Sequence, residues 1–183
     1  MSEPMGSLPA ELSPADVAEA CARSVFLAQT LERYPEQVQA AVKARPLTEP
    51  TTEAWLKQRW GDFLAIVDSE PSLHAALRQY RREIQFRIIW RDLMNWADLN
   101  ETMLATSAFA DVAIDGALSW LYEKVCEEFG TPMGRDPVTG AHVPQKMVVL
   151  GMGKLGGREL NVSSDIDLIF LYDQDVVTYV DPD

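Results

Sequence analysis

Cysteine, histidine and positive charge are all scarce in this 183-residue sequence, and each shortage removes a class of function. The two cysteines, Cys21 and Cys126, stand far apart with no CxxC and only His74 and His142 to accompany them. Neither a disulfide framework nor a thiolate or histidine metal site is expected, and a reducing cytoplasm fits. Lys and Arg number 16 against 28 Asp and Glu, for a net charge of -12 and a pI near 4.5. That is the wrong sign for a surface whose task is to neutralise a nucleic-acid backbone, so no nucleic-acid partner is expected. No apolar run approaches the roughly 20 residues of a membrane span. The opening "MSEPMGSLPAELSPADV" has neither the basic nor the apolar region of an export signal, so a soluble protein without a membrane partner is expected. Low-complexity tracts and repeats of fixed period are missing as well.

What is present is apolar patterning, 47% of the residues, enough for one good core or two small ones. Residues 1–130 read as a helical region. Ser13 before Pro14 is an N-cap and first-turn pair, and Val17, Cys21, Val25 and Ala28 recur at helical spacing. Pro35 starts or interrupts the next turn. From Thr52, the residues Trp55, Trp60, Phe63, Leu64 and Val67 form the apolar side of a second pattern that runs towards a break at Pro71. Ser69 or Ser72 can cap the helix after that break. The third pattern places Leu73, Leu77, Ile84, Ile88 and Trp96 on one stripe and is the longest helix candidate. Arg78, Arg81, Arg82, Arg87 and Arg91 surround it, best read as partners of carboxylates on the same helix such as Glu83 and Asp92. A fourth pattern runs from Glu101 to Phe129, and the five tryptophans read as core aromatics.

Gly130, Pro132, Gly134, Pro137 and Gly140 then mark 131–146 as a turn-rich linker. Beyond it the character changes. "KMVVLGMG" and "DIDLIFLYD" read as strands, with Asp173 ending the second in solvent. The fold class expected is a mainly α N-terminal region followed by the first strands of an α/β (α+β) domain over 147–183. Gly151, Gly153 and Gly156 satisfy G-x-G-x-x-G after a strand, but too few residues intervene before the next strand for the long helix that a dinucleotide fingerprint requires. A P-loop fails sooner, because Lys154 is not followed by Ser or Thr.

The carboxylates say more. On a strand, Asp165 and Asp167 share one face while Ile166 and Leu168 take the other. Two like charges at the mouth of an apolar run repel one another, and a cation resolves the conflict. Paired carboxylate oxygens suit Mg²⁺, which keeps several waters and takes further ligands from substrate phosphates. On these three residues alone, a turn cap and a solvent-facing edge carboxylate read equally well; the glycine–serine loop shifts the balance. Gly156 and Gly157 let backbone approach a nucleotide phosphate with no Cβ in the way. Ser163 and Ser164 are placed either to donate to those phosphates or simply to make a polar turn. Lys154 reads equally as a phosphate ligand and as a solvated loop lysine.

Leu155-Gly156-Gly157, seven residues, then Asp165-Ile166-Asp167-Leu168 resembles the hG[G/S]…DhDh signature of the nucleotidyltransferase superfamily. The longer string "VVLGMGKLGGRELNVSSDIDLIFLY" is similar to the N-terminal, deadenylylating catalytic domain of the bifunctional glutamine synthetase adenylyltransferase/adenylyl-removing enzymes. "LRQYRREIQFRIIWRDL" resembles a helix that precedes it in that family. The likeness is strongest from Lys146 to Tyr172 and weakest over the first 70 residues.

The resemblance implies a Mg²⁺-dependent bacterial cytoplasmic enzyme, with Asp165 and Asp167 as metal ligands and Gly156, Gly157, Ser163 and Ser164 beside the nucleotide. It implies phosphorolysis of an adenylyl-tyrosine on glutamine synthetase, with phosphate and nucleotide (ATP or ADP) as substrates or products, and a nitrogen-signalling regulatory protein as a further partner. The superfamily's third carboxylate lies in a later R-x-D-x-R-type segment, which this sequence does not contain. The expectation is therefore an N-terminal fragment, inactive alone. Another nucleotidyltransferase with a different acceptor, or an inactive interaction fragment, stands as the alternative.

Overall fold

The computed structural model describes residues 12–172 and 177–179; Asp173 lies outside them. Six helices come first: α1 (Pro14–Arg23), α2 (Val25–Arg33), α3 (Pro35–Ala44), α4 (Glu53–Leu64), α5 (Glu70–Leu93) and α6 (Leu99–Phe129). Their starts are written in the sequence. Ser13 Oγ accepts from the Asp16 amide at 3.1 Å, Ser24 Oγ from Leu27 at 3.3 Å, Thr52 Oγ1 from Trp55 at 3.3 Å and the Asp98 carboxylate from Glu101 at 2.8 Å. Each satisfies an amide that a first helical turn leaves without a partner. Pro14, Pro35 and Pro71 sit in first turns, where a missing N–H costs nothing. Pro71 thus opens α5 instead of breaking the chain ahead of it, and Ser69 and Ser72 cap each other reciprocally.

Helix α5 serves two cores. Its Leu73, Tyr80, Ile84 and Ile88 pack with Leu56, Trp60 and Phe63 of α4 and with Ala105, Ala108 and Val112 of α6. Its Phe86 and Trp90 complete a second cluster with Val17, Leu27, Leu31, Val38 and Val42 of α1 to α3. A helix used on opposite sides buries residues all round, which is why its polar–apolar division is indistinct in the sequence. Against α6, a Cβ on Gly116 would lie 1.8 Å from Trp60 Nε1; the missing side chain is the notch that admits the indole.

Two expectations about these helices are corrected. The 31-residue α6, not α5, is the longest. Trp96 leaves the α5 stripe and is 38% exposed, because Asn95 turns left-handed at φ 56° and the Trp96 amide folds back onto the Arg91 carbonyl at 2.8 Å, the Schellman closure of a helix end.

The arginines are also corrected. Arg87 and Arg91 are buried and do not pair with carboxylates on their own helix. Arg87 donates to Thr51 Oγ1 at 3.1 Å and to the carbonyls of Arg45, Pro46 and Glu49. Arg91 donates to the carbonyls of Leu47 and Trp96 at 2.7 and 3.0 Å and to Glu101 of α6. Within the connection 45–51 the Glu49 amide donates to the Pro46 carbonyl, and the two guanidinium forks supply donors to the carbonyls of Arg45, Leu47 and Glu49. Glu83 is taken instead by Arg59 of α4, through two bonds of 2.7 and 2.8 Å.

The stretch 131–146, read as a turn-rich linker, carries a hairpin of β1 (Thr131–Arg135) and β2 (His142–Pro144). β1 also pairs antiparallel with β5 (Val177–Tyr179). Proline and glycine signalled turns correctly, but they sit in and beside short strands: the bend is made by Asp136, whose carboxylate accepts the Val138 and Thr139 amides. Among the described residues no helix is long and apolar enough to cross a membrane. Val138, at the tip of the hairpin, is 90% exposed, so limited proteolysis should cut first within 137–141 and leave the helices as a resistant product. Digestion of α1 to α6 ahead of that turn would overturn the division.

Candidate nucleotide and metal site

Strands β3 (Val148–Gly151) and β4 (Leu168–Leu171) pair antiparallel in the register Val148↔Leu171 to Gly151↔Leu168. The ladder runs one step further, the Met152 amide donating to the Asp167 carbonyl at 2.9 Å. This pairing sets the start of the glycine loop opposite the end of the D-I-D segment. An antiparallel pair joined by a single helical turn, α7 (Gly153–Gly156), cannot be the strand–helix–strand unit of a dinucleotide fold, whose strands are parallel.

Asp165 and Asp167 lie ahead of the strand, not within it: β4 starts at Leu168. Nor is the apolar run buried, Phe170 being 57% and Tyr172 67% exposed. Of β4, only Leu168 joins a core cluster among the described residues; two strands alone offer too little surface to cover both faces of an apolar run.

Leu155 is the plug that seats the loop. With Leu160 it is buried against Ala110 of α6, with Ile114 and Leu168 alongside. The turn then closes through amides of Arg158 and Glu159 donating to the carbonyls of Leu155 and Lys154 at 3.0 and 2.8 Å. This is the same Schellman closure that ends α5, but its left-handed position, φ 58°, holds Arg158. Glycine or asparagine is usual there, and any other L-residue costs about 1–2 kcal/mol.

The Arg158 guanidinium reaches Glu53 of α4 at 3.2 Å and Asp111 of α6 at 3.8 Å. Lys57, hydrogen-bonded to Glu53 at 2.8 Å, together with Arg158 holds the Glu53 carboxyl below the ordinary range. Burial pushes the Asp111 carboxyl up, with Arg158 opposing. The Arg158–Glu53 bridge borders two clefts. One of about 340 Å³ is lined by Lys57, Asp115, Val149, Gly151 and Leu168; the other, about 640 Å³, by Thr52, Trp96, Asn100 and Leu104.

The two glycines do different work. A Cβ on Gly156 would meet the Gly151 carbonyl oxygen at 2.5 Å, whereas one on Gly157 would meet nothing nearer than 3.5 Å. Gly157, exposed and at φ -80°, therefore tolerates a Cβ as far as the fold is concerned. Gly156→Ala should destabilise the loop by roughly 1–3 kcal/mol. Gly157→Ala should leave the melting temperature unchanged and act only where a ligand meets the backbone. Equal melting temperatures for the two variants would remove this distinction.

Ser163 and Ser164 lie on a turn, the Ser164 amide donating to the Asn161 carbonyl at 3.1 Å. Lys154, Ser163, Asp165 and Asp167 are exposed and Ser164 half-buried. Among the described residues neither aspartate side chain has a hydrogen-bonding or ion-pairing partner, and no three His, Cys, Asp or Glu side chains gather as a metal cluster. Two unengaged carboxylates one residue apart are a donor set that fits a hard divalent cation with open positions. Sequence reasoning missed Glu53, Ser107, Asp111 and Arg158. Their one signal was an arginine where a helical turn ends after Gly-Gly, and it is legible only once that turn is known.

A family profile described as Glutamate-ammonia ligase adenylyltransferase matches residues 15–181. Curated relatives named bifunctional glutamine synthetase adenylyltransferase/adenylyl-removing enzyme include those of Pseudomonas syringae pv. tomato, 44% identical over 152 residues, and Pseudomonas aeruginosa, 43% over 157. That of Shewanella oneidensis is 40% identical over 151 residues. These alignments cover 83%, 86% and 81% of the chain but only 15%, 16% and 15% of the relatives, so the chain spans about a sixth of their length. The chain belongs to the glutamate-ammonia ligase adenylyltransferase family.

Proposed function

We propose that this chain contributes the helical platform and the opening metal-binding segment of an enzyme that removes AMP from an adenylylated tyrosine of glutamine synthetase by phosphorolysis. The observation that carries the reading is the register of β3 on β4, which sets the start of the glycine loop opposite Asp167, one of two neighbouring aspartates whose side chains have no partner among the described residues. In the reaction, a phosphate oxygen attacks the phosphorus of the adenylyl group, the bond from phosphorus to the tyrosine oxygen breaks, and that oxygen takes up a proton. The products are ADP and free tyrosine.

Asp165 and Asp167 would hold Mg²⁺, which when bound supplies charge neutralisation at the phosphoryl oxygens. The exposed backbone at Gly157 gives the nucleotide phosphates close approach, and the hydroxyls of Ser163 and Ser164 are placed to donate to them. Lys57 and Arg158, engaged with carboxylates, are not counted among the phosphate ligands. The cytoplasm and a nitrogen-signalling regulatory protein complete the proposal, since the acceptor would be a metabolic enzyme whose adenylylation must follow nitrogen supply.

The test uses adenylylated glutamine synthetase, inorganic phosphate and Mg²⁺. A full-length family protein bearing this segment should release ADP in proportion to the AMP lost. The 183-residue chain alone should release none at a comparable rate, because two carboxylates hold a metal poorly without a third. A wild-type rate from the short chain, or no phosphate-dependent ADP from the full-length protein, would sink the proposal.

A further inference from the structure

Besides the packing of Leu160 on Ala110 and of Val162 on the core of α4 to α6, the segment that joins the glycine loop to the carboxylates is fastened to the helical region by three polar tethers. The buried Ser107, mid-helix in α6, accepts the Leu160 amide at 3.1 Å while donating to the Met103 carbonyl at 2.9 Å. Gln85 of α5 donates to the Val162 carbonyl at 3.3 Å. Arg158 reaches Glu53 of α4 and Asp111 of α6. The last contact comes from a backbone position that disfavours arginine. At half exposure, an ion pair of this kind contributes little to stability, so stability does not account for the residue.

We infer that Ser107 and Arg158 are positioning residues: through α4 and α6 they fix the path of residues 157–164 and thereby set where Asp165 and Asp167 stand relative to Gly156 and Gly157. The inference rests on the phosphorolysis reading for its catalytic consequence but not for its structural content. A misplacement of about an ångström between reacting groups costs as much as ~10²-fold in rate. Three tethers on 157–164 hold the seven residues between Gly157 and Asp165 against that drift.

Two variants separate positioning from plain stabilisation. Arg158→Gly relieves the left-handed backbone while deleting the side chain, so the melting temperature should hold or rise. In the full-length protein kcat should fall ~10-fold or more with KM for adenylylated glutamine synthetase unchanged, and Arg158→Lys should recover part of the loss. Ser107→Ala should lower both kcat and the melting temperature. Tyr80→Phe, which deletes a buried bond of 2.9 Å to the Leu56 carbonyl and removes none of the three tethers, is the control that lowers the melting temperature without lowering kcat.

Amide hydrogen exchange on the 183-residue chain supplies a readout independent of activity. Residues 156–167 should exchange faster in Arg158→Gly and Ser107→Ala and as in wild type in Tyr80→Phe. Faster exchange in these variants, with a full-length wild type that shows no phosphorolysis, would uphold the tethers and overturn the function. Unchanged exchange and unchanged kcat in Arg158→Gly, with phosphorolysis intact, would overturn the tethers and leave the function standing.

Discussion

Asp165→Asn and Asp167→Asn should each lower phosphate-dependent ADP release by ~10²-fold or more in the full-length protein, with no loss of melting temperature. The size follows from the charge removed: charge aimed at a phosphoryl group is commonly worth a few kcal/mol in the transition state. The intact fold follows from the surroundings of the pair. Both side chains are exposed and neither has a partner among the described residues, so an amide of nearly the same size forfeits no contact and relieves like-charge repulsion. The double variant should melt no lower than wild type. Excess Mg²⁺ should partly restore a single variant if the defect is metal affinity. Near-normal rates in both single variants would place the site elsewhere, and a large fall in melting temperature would make the aspartates structural.

The second large effect is on stability. Arg87→Ala should cost roughly 2–4 kcal/mol, a fall of about 5–15 °C for a chain of this size. The guanidinium serves four acceptors in the 45–51 connection and lies over the Trp55 ring at 5.0 Å. Its loss leaves the Arg45 and Glu49 carbonyls and the buried Thr51 hydroxyl without this donor. Arg87→Lys should recover little, because a single ammonium cannot span acceptors laid out for a planar fork. Burial pushes Arg87 down from its ordinary value to about 10, so folded and unfolded chains both hold the proton at neutral pH. The unfolded chain holds more proton than the folded one only above about pH 10, where stability attributable to this group should rise with pH; below that, Arg87 should add no slope to the pH dependence of unfolding. A melting temperature within a degree or two of wild type would show that 45–51 is held by something else.

The helical region was legible because its signals are local. Ser13 and Ser69 are readable as caps from the sequence and both cap; Thr52 and Asp98, not singled out as caps there, do so as well. What escaped depends on where distant residues end up. Arg87 and Arg91 read as partners of carboxylates on their own helix, yet they serve backbone about 40 residues earlier in the chain. Trp96 kept helical spacing but fell past a left-handed asparagine. The carboxylate motif was found through its spacing and its resemblance to a signature, whereas Ser107 looks like any polar residue in an alanine-rich helix until Leu160 is brought to it. The hairpin at 131–144 was hidden because proline and glycine inside short strands look the same as proline and glycine in loops.

Helix α5 contributes side chains to both hydrophobic clusters, and thermodynamics attaches a condition to that arrangement. Neither cluster can lose its packing without exposing a face of the same rod, so α1 to α6 should melt in one transition, and their slowest-exchanging amides should share a single opening free energy. A cavity cut at Leu27, in the cluster built from the first three helices, would then be felt at Gln85 and at the Val162 carbonyl it holds.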